Sequence, residues 1–62
     1  MSGYYKQLVA VLEANGFQYL GPAKGSHEKW GNGSRKTIVP FNCPSRHTAN
    51  DILKDMGIKH RF

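Results

Sequence analysis

Residues 17–44 read FQYLGPAKGSHEKWGNGSRKTIVPFNCP, and the reading of this run settles the fold. Aromatic and β-branched residues occur there in short runs, separated by Gly21-Pro22, Gly31-Asn32-Gly33 and then Pro40 or Pro44. The spacing predicts three short strands near residues 17–21, 25–30 and 35–40. Asn32-Gly33 suits the positive backbone angles of a tight hairpin turn between the last two.

Helical periodicity flanks this run on both sides. In SGYYKQLVAVLEANG, Tyr5, Leu8, Val9 and Leu12 fall on one stripe, with Lys6 and Glu13 off it. A helix over about residues 3–15 follows, with Ser2 as its amino-terminal cap and Gly16 closing its end. In HTANDILKDMGI, Thr48 is the expected cap, with Asp51 three residues on as a carboxylate variant of the capping box. Ile52, Leu53 and Met56 form the apolar face, Gly57 stops the helix, and Ile58 folds back onto it. The basic ending KHRF reads as a short tail.

The expected fold class is therefore α+β, in the order α-β-β-β-α. Two amphipathic helices need cover, and a three-stranded antiparallel sheet with both on one face supplies it. The other sheet face is left to solvent or ligand. At 62 residues the chain makes one domain, since a domain this size buries only about 60% of the surface of its unfolded form.

Nine Lys or Arg against four Asp or Glu give a formal charge of +5, a balance that attracts polyanions. The lone Cys43 excludes an internal disulfide framework and, with scattered histidines, lacks the paired spacing of a structural zinc site. No apolar run approaches the roughly 20 residues of a membrane span, and the MSGYYKQ start has no signal-peptide character. A cytoplasmic protein that does not contact membrane is expected.

KGSHEKWGNG, residues 24–33, holds the candidate chemistry. On a regular strand His27 and Lys29 share one face while Ser26, Glu28 and Trp30 share the other. Ser26 and His27 then point apart and cannot act as nucleophile and base, which need hydrogen-bond reach. With Trp30 in the core, His27 and Lys29 lie on the open side, and Glu28 faces inward, which is costly unless it is paired or at the rim. Histidine gives or takes a proton near neutral pH. On a phosphodiester such a group removes the ribose 2′-hydroxyl proton or protonates the leaving oxygen, while nearby cations stabilise the developing charge. Lys24, Lys29, Arg35 and Lys36 lie on the same hairpin and are the candidate phosphate holders, and Gly25 permits close backbone approach.

Other features read as structural. Glu13, Glu28, Asp51 and Asp55 are spread over three elements, so no carboxylate cluster for metal-dependent chemistry is expected, and no cofactor is implied. The GNG triplet lacks the lysine and hydroxyl of a phosphate loop. His47 and His60 read as surface residues, and Cys43 has no activating partner in sequence.

The residues LVAVLEANGF, KGSHEKW with its Gly-Ser-His triplet, KTIVP and TANDILKDMGI, in that order, resemble the HicA-type messenger-RNA interferases, the toxins of bacterial toxin–antitoxin pairs. The resemblance covers nearly the whole chain. It implies a double-stranded-RNA-binding-like fold, ribosome-independent cleavage of mRNA, and a HicB-type antitoxin that covers the active surface. It places the catalytic histidine at His27, with Gly25 and Ser26 as flanking motif positions. Many relatives have a second histidine where this chain has Glu28, and a basic or histidine-containing segment where it has FNC. Both departures lower the local positive charge. A noncatalytic RNA-binding module, or a protein-interaction domain docking through the open sheet face, are the alternatives that the residues themselves leave standing.

Overall fold

The computed structural model describes residues 3–43 and 45–62. Its elements are α1 (Tyr5–Ala14), β1 (Gln18–Pro22), β2 (His27–Gly31), β3 (Lys36–Pro40) and α2 (Arg46–Asp55). The strands form one antiparallel sheet in the order β1-β2-β3, with β2 central. This is the expected α-β-β-β-α order, with the end of β3 where it was expected and the other boundaries moved by one to three residues.

The core lies between the sheet and the two helices. Leu8 and Leu12 of α1, Ala49, Ile52 and Leu53 of α2, and Trp30 and Val39 of the sheet are buried together, with Phe17 and Cys43. The apolar stripes read from the sequence account for both helical contributions, to which Ala49 adds a small residue where α2 packs closely. Among the described residues no element covers the opposite sheet face, on which His27, Lys29, Lys36 and Ile38 are exposed.

Both helices end in the same way. At α1 Phe17 N–H donates to Leu12 O at 2.9 Å and Gly16 N–H to Glu13 O at 3.1 Å; at α2 Ile58 N–H donates to Leu53 O at 2.8 Å and Gly57 N–H to Lys54 O at 3.0 Å. These pairs are Schellman motifs, with Gly16 (φ +86°) and Gly57 (φ +75°) in the left-handed position. Burial of Phe17 and the packing of Ile58 against the core complete them.

Three local expectations are corrected. The α2 cap is Ser45, not Thr48: Ser45 is extended, and its Oγ accepts from Thr48 N–H at 3.2 Å. Thr48 is therefore inside the first turn, and the helix starts three residues earlier because a serine in extended backbone outcompetes a threonine already in helical register. His47 consequently stands on the first turn of α2. In the β2–β3 hairpin only Gly33 takes a positive angle (φ +92°); Asn32 acts through its side chain, whose Oδ1 accepts from Ser34 N–H and Arg35 N–H at 3.0 and 2.8 Å. The KHRF segment is not free: Phe62 N–H donates to Asn50 Oδ1 at 2.8 Å, and its ring lies 5.5 Å from that of Tyr4. The proposed Ser2 cap of α1 lies outside the described residues, as does Pro44.

Sheet irregularity falls on β1. The register steps from Tyr19↔Trp30 to Gly21↔Lys29, so Leu20 is the extra residue of a bulge. A Cβ on Gly31 would meet Arg35 O at 2.9 Å and Leu20 Cδ1 at 3.0 Å, so only glycine fits beneath the bulged leucine.

The reassigned cap is directly testable. Ser45→Ala should lower stability by about 1 kcal/mol, seen as a fall in the urea midpoint at unchanged slope, with a smaller effect for Thr48→Ala, which keeps the backbone donor.

Candidate functional site

The turn before β2 builds the site. Gly25 has φ +65°, and His27 N–H closes the turn by donating to Lys24 O at 3.2 Å. The same carbonyl lies 3.1 Å from His27 Nδ1. A carbonyl oxygen only accepts, so this contact requires the proton on Nδ1, and in the neutral ring the lone pair is then on Nε2. One oxygen thus fixes both the backbone and the ring of an exposed histidine. Nothing lies within 4 Å of a Cβ added at Gly25, so this glycine serves the left-handed backbone and not a close approach within the molecule.

The alternation expected of β2 is present from its first residue: His27 and Lys29 are exposed, Glu28 is half-buried and Trp30 is buried. Ser26 belongs to the turn, so the strand argument that parted it from His27 does not reach it; no hydrogen bond joins their side chains among the described residues. Directly opposed residues of an antiparallel pair share a face. The pairs His27↔Pro40, Lys29↔Ile38 and Gly31↔Lys36 therefore set Lys36 and Ile38 on the His27 face, with bulged Leu20 over Gly31. Leu20 and Ile38 are each 46% exposed. Lys24 is exposed in the adjoining turn.

Arg35 does not join this group. Its Nη1 donates to Asp55 O at 2.9 Å, and its guanidinium lies over Gly57, with Cζ 3.3 Å from an added Cβ there. It binds a free carbonyl at the C-terminus of α2, where a cation also complements the helix dipole. Sequence spacing puts Arg35 on the hairpin, but it lies in the loop just before β3, and its side chain turns to the end of α2 instead of joining Lys36 on the open face.

Glu28, inward-facing as expected, is paired. Its Oε1 accepts from the Tyr5 hydroxyl at 2.7 Å and from Trp30 Nε1 at 3.0 Å. A half-buried carboxylate with two neutral donors keeps its charge satisfied and links α1 to the strand that carries His27. Burial, the hydrogen bond to Glu28 and the carboxylate charge together push the Tyr5 phenol up to about 12. Sequence reasoning missed Tyr5 because its partner is 23 residues away. Trp30, at 4% exposure, is a core residue and offers no stacking face.

The remaining groups are structural. Cys43 is fully buried, its thiol pushed up by burial, and its carbonyl accepts from Tyr4 N–H at 2.9 Å. Among the described residues no three His, Cys, Asp or Glu side chains converge on a common point. No described helix is long and apolar enough to cross a membrane.

An exposed histidine of fixed tautomer, flanked by lysines on an uncovered sheet face, is the geometry on which comparison with known proteins bears. A family model for the HicA toxin of bacterial toxin–antitoxin systems matches residues 5–58 of the 62. The chain belongs to the HicA toxin family. No curated protein and no solved structure matches it. Membership carries a toxin role and an antitoxin partner, and the matched span contains the His27 turn, all three strands and both helices of this HicA-family chain.

The Tyr5–Glu28 bond gives a titration test. A raised folded-state value means that the neutral phenol is favoured: its contribution to stability is complete below the ordinary value of 10.0 and is lost as pH rises through about 12. Tyrosinate absorbance should show a step near pH 12 that is absent in Tyr5→Phe and moves towards 10 in Glu28→Gln.

Proposed function

We propose that this toxin is a metal-independent endoribonuclease that cleaves mRNA in the cytoplasm with His27 as its acid–base residue, and that a HicB-type antitoxin neutralises it. The observation that supports the reading is the Lys24 carbonyl on His27 Nδ1, because in the neutral ring it assigns the lone pair to Nε2, on an exposed residue of a cationic face in a HicA-family chain.

The chemistry follows from that tautomer. His27 Nε2 takes the proton of a ribose 2′-hydroxyl; the freed O2′ attacks the adjacent phosphorus, forming an O2′–P bond as the P–O5′ bond breaks. The departing 5′-oxygen is protonated by the imidazolium or by water, leaving a 2′,3′-cyclic phosphate and a 5′-hydroxyl. While His27 is doubly protonated, the Lys24 carbonyl continues to accept from Nδ1–H and so supports the cation. Lys24 and Lys29, the lysines nearest His27 in the turn and along β2, would balance the growing charge of the scissile phosphate, and Lys36, opposite Gly31 on the same face, would hold a neighbouring one. Arg35, committed to α2, is left out of this set. Leu20 and Ile38 add exposed apolar area to the same face, which suits docking of the antitoxin over the lysines.

His27→Ala should abolish RNA cleavage and growth arrest while leaving the circular dichroism spectrum and antitoxin binding unchanged. Wild-type cleavage should persist in chelator and yield cyclic phosphate ends. Full activity in the variant would refute the role, and salt-sensitive RNA binding without cleavage by the wild type would favour a noncatalytic module. Gly25→Ala, forced into a left-handed backbone at a cost of about 1–2 kcal/mol, should lower kcat by displacing the Lys24 carbonyl while the fold is retained.

A further inference from the structure

The fold forms a groove of about 590 Å³ well away from the His27 turn, between α2 and the chain that follows it. Asn50, Asp51 and Lys54 line it from the helix, and Lys59, His60 and Arg61 from the C-terminal segment. Three permanent cations face one carboxylate, a net charge of +2 with the histidine neutral. Lys54, Lys59, His60 and Arg61 are all exposed.

The second wall is held in place. Gly57 reverses the chain, Ile58 N–H is bound to Leu53 O, and the Asn50 side chain accepts from Phe62 N–H at 2.8 Å and donates to Phe62 O at 3.5 Å. Phe62 packs against the core beside Tyr4, and the His60 ring meets it edge-on at 4.8 Å. The cations of residues 59–61 therefore stand along α2 without further ordering of the backbone, which lowers the cost of binding a ligand there.

The groove also has a defined position relative to His27. Arg35 lies over Gly57, one of the lining residues, and follows the hairpin that joins β2 to β3. This is the end of the sheet at which β2 finishes, whereas His27 stands where β2 begins, about 13 Å away along the strand. Lys29 and Lys36 lie between them on the open face.

We propose that the α2–C-terminal groove is a second phosphate-binding site, which holds the RNA backbone beyond the cleavage point. The inference rests on the endoribonuclease reading and extends it: RNA cut at His27 continues past Lys29 and Lys36 and places its next phosphates between Lys54 and Lys59–Arg61. The groove recognises charge through Lys54, Lys59 and Arg61, with Ile58 its one large aliphatic residue.

The test compares wild type with the triple variant Lys54→Gln, Lys59→Gln, Arg61→Gln, all three exposed positions. Cleavage is measured on a dinucleotide, too short to leave the His27 face, and on a long unstructured RNA. Binding of the long RNA is measured against salt in the His27→Ala background. The variant should cut the dinucleotide at the wild-type rate and bind long RNA more weakly, with the log–log salt slope reduced by about two, at roughly 0.7 per single-strand phosphate. Amide shifts of residues 54 and 57–61 in His27→Ala, which keeps the groove intact, should respond to the long RNA and not to the dinucleotide. An unchanged salt slope with unperturbed amides overturns the site. Loss of antitoxin binding with RNA binding intact also overturns it, marking an acidic protein surface as the occupant. Wild-type protein that neither binds nor cuts RNA fails in the first arm and removes both readings together, whereas failure confined to the variant removes this one alone.

Discussion

Strand β2 has to satisfy two environments at once. Two ten-residue helices cover one face of a three-stranded sheet, so the residues of its central strand alternate between core and water. Trp30 fills the core, and Glu28, the charged residue sharing its side, is accommodated because the Tyr5 hydroxyl and the Trp30 indole both donate to its Oε1. Loss of that carboxylate would leave two polar groups seeking partners at the junction of α1 and the sheet. The rest of the open face depends on this junction, since the same strand presents His27 and Lys29 outward.

The site is correspondingly economical. A single carbonyl, Lys24 O, closes the β-turn through the His27 amide and sets the imidazole tautomer through Nδ1. The left-handed Gly25 makes this possible, so the Gly-Ser-His order has a backbone reason as well as a chemical one. Under the proposed function, exposure of the ring suits a polymeric substrate, which would reach it without entering a cavity. The same exposure leaves the face open to a protein partner, and its mixture of lysines with Leu20 and Ile38 suits both kinds of contact.

Cations that look alike in the sequence acquire different duties. Lys36 and Arg35 are neighbours, yet pairing with Gly31 puts Lys36 on the His27 face, while Arg35, in the loop before β3, binds the α2 terminus. Lys59, His60 and Arg61, which read as a loose basic end, become one wall of a groove because Asn50 and Tyr4 hold Phe62. Departures from expectation at Thr48 and Asn32 have the same origin: in each case a side-chain oxygen already in position decided between two local conformations of similar cost.

The element order, the helical stripes, the glycines that end both helices and the outward pairing of His27 with Lys29 were legible in the sequence, because each depends on periodicity or on a backbone angle that few residues adopt. Only the tertiary structure decided which oxygen holds His27, what neutralises the cost of an inward Glu28, where Arg35 goes, and that the C-terminal segment is a wall. Most of these rest on contacts between residues far apart in the chain, such as Tyr5 with Glu28 and Arg35 with Asp55. Local pattern specifies the faces that must be buried. It does not specify which distant donor meets which acceptor, since that follows from how two helices are laid across a twisted sheet.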